Sequence, residues 1–166
     1  LVRSRGLGDV YKDSFNAKTT VAKTTYSGKA QAAKITVKNG SKTLKAGRDY
    51  VVSGTTKAKN AGKYRIKITG KGNYAGSKTI TYTISKCNQK WIGIKTNNTS
   101  KKIAVSGVKG KAKVAYATNN SKVKVSGGKI SIAKGVKSGT KVKITVKVGA
   151  TKNFNAYKKT ITYVVK

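Results

Sequence analysis

The side chains that most often carry out acid–base catalysis are nearly absent from this chain. It has no histidine and no glutamate, and its carboxylate side chains are Asp9, Asp13 and Asp49. General acid–base catalysis needs a group that gains and loses a proton near the working pH. Serine, threonine and Cys87 have no basic partner other than lysine, which is so abundant that a chance neighbour means little. The composition predicts a protein that is not an enzyme and has no catalytic residues.

The same inventory argues against metal and redox chemistry. Metal sites are built from clusters of histidine, cysteine or carboxylate ligands. Three scattered aspartates and one cysteine do not supply such a cluster, and a single cysteine cannot form an internal disulfide. We therefore expect no metal site and no cofactor.

Charge is the unusual property of this sequence. Lysine and arginine number 38 against three acids, which gives a net charge of +35. Residues 1–86 hold 19 bases and all three acids, whereas residues 87–166 hold 19 bases and none. Of the bases, 34 are lysine and four are arginine. Arginine suits bidentate recognition of phosphates and bases, whereas lysine gives a hydrated, diffuse positive field. This balance predicts sequence-independent capture of polyanions.

Apolar residues alternate with polar ones along most of the chain, which is typical of half-buried β-strands. Tyr64, Ile66 and Ile68 alternate with bases, and the run from Lys141 to Val148 does the same. Glycine- and asparagine-containing turns separate these segments. One face of each strand should therefore meet a core while the other carries lysine into water. The lysines that we expect to bind polyanions are Lys63, Lys67, Lys122, Lys124, Lys141, Lys143 and Lys147.

The chain repeats itself once. Ile66-Lys67-Ile68-Thr69 matches Val142-Lys143-Ile144-Thr145, an offset of 76 residues, and the segment around Tyr82 matches the segment around Tyr163 at an offset of 80 to 81. A spacing near 80 suits a small β-sandwich. We therefore predict a linker or tail over residues 1–20, a first module over 21–86 and a second over 87–166.

An ordered series of motifs then suggests a family. The first module contains Tyr26-Ser27-Gly28-Lys29, Gly47-Arg48-Asp49-Tyr50, Asn60-Ala61-Gly62 and Gly70-Lys71-Gly72-Asn73-Tyr74. This series resembles the bacterial Ig-like repeat modules of large surface and adhesin proteins of Firmicutes. The second module resembles companion repeats through Val123 to Ile130, Lys137-Ser138-Gly139-Thr140 and Ala150 to Phe154.

The resemblance implies an all-β fold of two tandem immunoglobulin-like β-sandwich modules. It also implies an extracellular location, secreted or on the bacterial cell surface, next to further Ig-like repeats. Combined with the charge, it predicts adhesion to anionic polysaccharide, teichoic acid or mucin-type glycan, and possible binding of extracellular DNA. Purely structural spacer modules and sequence-independent nucleic-acid binding are the alternatives. No apolar stretch approaches the roughly 20 residues of a membrane span, so none is expected.

Two single residues have competing interpretations. We favour a role for Asp49 in accepting hydrogen bonds from backbone N–H groups of a turn over a binding role. For Trp91, the one tryptophan of the chain, we favour packing in the core or against the neighbouring module over stacking on a ligand.

Overall fold

The computed structural model describes residues 13–14 and 17–166, and these form strands, turns and irregular segments without a helix. The predicted all-β class is confirmed. No helix in this part of the chain has the length and hydropathy that a membrane span requires. The chain divides into two compact units, Leu1–Ser85 and Lys86–Lys166.

The first unit contains short and long strands arranged in several sheets. The hydrogen-bonded orders are β3–β11–β9–β7, β2–β5–β6, β4–β8 and β1–β10. Their bounds are β1 (Asp13–Ser14), β2 (Lys18–Val21), β3 (Thr24–Thr25), β4 (Gln31–Ala32), β5 (Ile35–Asn39), β6 (Lys42–Thr43), β7 (Tyr50–Gly54), β8 (Lys57–Ala58), β9 (Gly62–Gly70), β10 (Tyr74–Ala75) and β11 (Ser77–Ser85).

The core of the first unit is built from the inward faces of these sheets. Ile66 and Ile68 of β9 and Tyr82 and Ile84 of β11 pack with Val37 of β5, and each of these side chains is almost completely buried. Full burial of an aliphatic side chain contributes roughly 1.5–3 kcal/mol. Because residues 50–166 contain no acidic side chain, burial of this kind stabilises the fold more than ion pairs such as Arg48–Asp49.

The structure corrects the prediction that residues 1–20 form a linker or tail. Lys18–Val21 is strand β2, which pairs antiparallel with β5, and Ala17 is buried in the first core. Asp13–Ser14 pairs with β10. The apolar pattern does not reveal these strands, because they are short and carry few large apolar side chains. The rest of this segment, residues 1–12 and 15–16, lies outside the described residues.

The second unit has two sheets that share one core. The orders are β12–β13–β16–β15 and β14–β17–β18. Inward side chains of both sheets, among them Ile103, Ile130 and Ile144, belong to a single buried cluster, as in a β-sandwich. The strand bounds are β12 (Gly93–Asn97), β13 (Lys102–Ser106), β14 (Val114–Thr118), β15 (Val123–Ser126), β16 (Lys129–Ile132), β17 (Lys141–Val148) and β18 (Tyr157–Val164).

The predicted alternation is most complete in β17. Val142, Ile144, Val146 and Val148 are buried, and the lysines between them are exposed. The predicted Gly127-Gly128 turn joins β15 to β16 as a two-residue hairpin that pairs Ser126 with Lys129. Both glycines have positive φ, at 55° and 82°, which is the geometry of a type I′ turn and the reason why glycine suits both positions.

Candidate polyanion-binding surface

Lysine is exposed at every position that it occupies between residues 17 and 166. Sixteen of these 33 lysines lie on strands, where most of them alternate with the apolar residues of the core, and the others lie in turns and connecting segments. Asp49 is the last acidic side chain in the sequence. The second unit, which lies entirely after that position, therefore has no acidic side chain of its own to neutralise its cations.

The first pair of predicted binding residues lies on β9. Lys63 and Lys67 face outward on either side of Arg65, and the register places them opposite Thr83 and Thr79 of β11. This face therefore presents a row of three cations next to a row of threonine hydroxyls. Such a row provides a linear positive field that lies parallel to the strands.

The five predicted residues of the second unit occupy two different sheets. Lys124 lies on β15, opposite Ser131 of β16, and Lys122 precedes β15. Lys141, Lys143 and Lys147 lie on β17. Since the two sheets share one core, their outward faces point away from each other. The structure therefore does not gather the predicted residues into one site but distributes them over separate faces.

Strand pairing adds cations that the sequence analysis did not select. Lys158 of β18 lies directly opposite Lys147, and Lys129 of β16 lies directly opposite Lys102 of β13. Like charges at directly opposed positions destabilise a sheet. Alternation within one strand cannot reveal such pairs, because it carries no information about which residue of the neighbouring strand lies opposite.

Two exposed lysines have a structural role. The Lys71 ammonium donates a hydrogen bond to the Gly47 carbonyl at 3.0 Å, and the Lys78 ammonium donates to the Ala17 carbonyl at 3.3 Å. These contacts tie loops of the first unit together. We therefore do not count these two side chains among the candidate binding residues.

Asp49 has the backbone-binding role that the sequence analysis favoured. Its Oδ2 accepts a hydrogen bond from the Lys45 N–H at 2.8 Å. The Arg48 guanidinium also donates to both carboxylate oxygens, at 2.8 and 2.9 Å. The hydrogen bond from Arg48, followed by that from the Lys45 N–H, lowers the pKa of Asp49 from 3.8 to about 2. A carboxylate held in this way is a weak base. Its hydrogen bonds fix the loop that runs from Lys45 to Asp49.

Of the two packing roles favoured for Trp91, in the core or against the neighbouring module, the structure contradicts the first. The side chain is 90% exposed, and its backbone has a φ of 66°, which is rare for a residue with a side chain. The carbonyl of Trp91 lies so close to Gly107 that a Cβ at that position would overlap it. Sequence analysis missed this because the aromatic residue at the start of an alternating segment gave no indication of its unusual backbone.

The sequence analysis also missed a buried side chain, Gln89. Its amide donates to the Lys109 carbonyl at 3.2 Å and accepts from the Lys109 N–H at 3.1 Å. The Gln89 side chain thus makes the two hydrogen bonds with the Lys109 backbone that a neighbouring strand would otherwise make. Cys87 is partly buried, and its backbone pairs with Asn153 and Asn155. The hydrogen bonds of Gln89 and Cys87 thus connect the first residues of the second unit to later segments of the same unit.

Chemically, the described residues offer faces of exposed cations. Among them, no group of three or more histidine, cysteine or acidic side chains could hold a metal ion. Comparison with family models, curated proteins and solved structures found no match to the chain.

Proposed function

We propose that this chain is a non-catalytic, extracellular pair of immunoglobulin-like modules that adheres to anionic polymers through its lysine-rich sheet faces. The observation that carries the proposal is the exposure of every lysine in residues 17–166, on a chain that has no acidic side chain after Asp49. Adhesion to cell-wall or host glycans, or to extracellular DNA, would use the field of these lysines rather than recognition of a sequence.

The distribution of the lysines supports a diffuse mechanism. Lys63 and Lys67 lie on one unit, and Lys122, Lys124, Lys141, Lys143 and Lys147 lie on two faces of the other. A flexible polymer contacts such faces at many points, and each contact is weak because exposed charges are screened within about 8 Å at physiological ionic strength. Loss of one lysine should therefore weaken adhesion slightly, and losses at separate faces should add.

The test is retention of the whole chain on immobilised heparin, DNA, mucin and teichoic acid during a salt gradient. Comparable retention on all four supports charge-driven adhesion. Elution from all four below physiological salt supports spacer modules instead, and strong preference for one nucleic-acid sequence supports nucleic-acid binding proper. On duplex DNA, each phosphate contact that is lost should reduce the slope of log K against log salt by about 0.9.

A matched pair of variants separates charge from shape. Lys63→Gln with Lys67→Gln removes two cations from β9, whereas Lys63→Arg with Lys67→Arg keeps them. We expect earlier elution of the glutamine variant and unchanged elution of the arginine variant. A single glutamine substitution that abolishes retention would contradict the diffuse mechanism.

A further inference from the structure

Three lysines of the second unit surround one depression on the outward face of the β14–β17–β18 sheet. Lys147 of β17 lies opposite Lys158 of β18 on one side and opposite Ala115 of β14 on the other. Lys113 precedes Ala115 by two residues, and its carbonyl accepts a hydrogen bond from the Gly149 N–H at 2.9 Å. The three ammonium-bearing side chains therefore come from neighbouring positions on three adjacent segments. We call Lys113, Lys147 and Lys158 the lysine cradle.

The cradle has an apolar floor. The depression has a volume of about 440 Å³ and is lined by the cradle lysines together with Ala115, Ala156 and Tyr157. Alanine at position 115 of the edge strand β14 leaves the space open, because a larger outward side chain there would occupy it. A volume of this order accommodates one ring-sized unit of a ligand.

The second unit supplies no acidic side chain to neutralise the charges of the cradle. Lys147 and Lys158 are directly opposed across two strands, where like charges repel. The sequence from residue 50 onward contains no acidic side chain. A bound anion would relieve this repulsion, so the cradle favours a ligand that carries more than one negative charge.

From this arrangement we propose that the lysine cradle binds a sulfated sugar unit of an anionic polysaccharide. The three ammonium groups contact its sulfates, and the alanine floor contacts the C–H face of the ring. The register pairs Tyr157 with the buried Val148, which places its ring on the core face of β18 and leaves Ala115 and Ala156 as the small outward side chains of the floor. The shape therefore favours a sugar over a nucleic acid, because these groups do not form a wide aromatic platform for stacking a base. The inference rests on the proposed function and narrows it to one preferred position and one class of ligand.

The first test compares two triple variants of the whole chain that have the same net charge. Lys113→Gln, Lys147→Gln and Lys158→Gln remove the cradle. Lys122→Gln, Lys124→Gln and Lys129→Gln remove three lysines from the other sheet of the same unit. With a heparin hexasaccharide as the probe in isothermal titration calorimetry, we expect the cradle variant to lose about tenfold in affinity and the control variant about twofold or less.

The second test fills the floor without changing any charge. Ala115→Leu keeps all three lysines, and a strand accepts leucine at an exposed position. We expect Ala115→Leu to weaken hexasaccharide binding several-fold while its circular dichroism and thermal unfolding stay those of the wild type. The same titration with a chemically desulfated hexasaccharide should show little binding.

The outcomes distinguish the cradle from general adhesion. Equal losses in both triple variants, together with wild-type binding by Ala115→Leu, overturn the cradle and leave charge-driven adhesion standing. Single-stranded DNA that binds more tightly than the hexasaccharide, and is weakened by Ala115→Leu, overturns the assignment to a sulfated sugar. Failure of the wild type to bind any of the probes overturns the proposed function as well.

Discussion

Tyr82 and Tyr163 occupy corresponding inward positions in the last strands of the two units, but their hydroxyl groups have different surroundings. The Tyr82 hydroxyl lies 3.2 Å from the Thr24 hydroxyl and 3.5 Å from the Gln31 carbonyl. The Tyr163 side chain is 2% exposed, and its hydroxyl has no hydrogen-bond partner among the residues that the structure describes. The second unit thus contains a buried polar atom that does not stabilise it.

This difference predicts opposite effects of one substitution. Tyr163→Phe removes an unpaired buried hydroxyl and should leave the free energy of unfolding unchanged or raise it by up to about 1 kcal/mol. Tyr82→Phe removes a paired hydroxyl and should lower that free energy by about 1 kcal/mol. Urea unfolding followed by circular dichroism measures both. A loss of more than about 1 kcal/mol in Tyr163→Phe would show that its hydroxyl has a partner in solution.

The lowered pKa of Asp49 leads us to expect that acid destabilises the first unit. Its pKa is lowered from 3.8 to about 2 by Arg48 and the Lys45 N–H. The folded state therefore binds this proton less readily than the unfolded chain, and the ionised carboxylate stabilises the fold above about pH 4. That contribution should decline as the pH falls below 4 and be lost as it passes through about 2.

Asp49→Asn provides the control for the acid effect. The variant should be less stable than the wild type at pH 6, and the difference should shrink between pH 4 and 2 on the scale set by the lowered pKa. Thermal unfolding at a series of pH values measures it. A difference that stays constant through this range would mean that the carboxylate is not held as the structure shows. The second unit has no acidic side chain and serves as an internal reference.

We expect that position 107 does not tolerate any residue larger than glycine. Its φ is 74°, and a Cβ would overlap the backbone carbonyl oxygen of Trp91. Gly127 has a φ of 55° but open space around the position of a Cβ. Gly127→Ala should cost about 1–2 kcal/mol from backbone strain alone, and Gly107→Ala should cost at least about 3 kcal/mol. Equal costs in denaturant unfolding would rule out the close approach of Gly107 to Trp91.

The exposure of Trp91 leads us to expect the fluorescence of an indole in water. Because it is the single tryptophan and is 90% exposed, the native protein should emit at the long wavelength typical of solvated indole. Acrylamide should quench it almost as efficiently as it quenches free tryptophan, and unfolding in urea should change the emission little. Short-wavelength emission that resists quenching in the native state would restore the packing role that the sequence suggested.

The longest strands could be predicted from the sequence because alternation is a local property. Burying valine and isoleucine on one face of β17 forces the intervening lysines outward, whichever strand lies beside it. The same logic located the hairpin at Gly127-Gly128. It failed at β2, where Lys18–Val21 offers one large apolar residue and depends on pairing with β5 for its place.

Pairing between strands could not be predicted, because it joins residues that are distant in sequence. Tyr64 lies opposite Tyr82, and Val142 lies opposite Tyr163. If the two tyrosines correspond, the preceding strands correspond at an offset of 78 residues, from Tyr64 to Val142, and not at the 76 that the sequence match indicates. A shift of two residues keeps every side chain on its face, so the pattern alone cannot detect it. The cradle, which depends on the opposition of Lys147 and Lys158, was hidden for the same reason.

The lack of acidic side chains after Asp49 determines how the charge of the second unit responds to pH. Residues 87–166 contain no histidine, aspartate or glutamate, the side chains that ordinarily change charge between about pH 3 and 7. Acidification therefore leaves the electrostatic potential of this unit constant. Under the proposed function, the pH dependence of polymer binding follows the ionisation of the polymer alone. Sulfate esters stay charged in acid, whereas carboxylated chains take up protons and are bound more weakly.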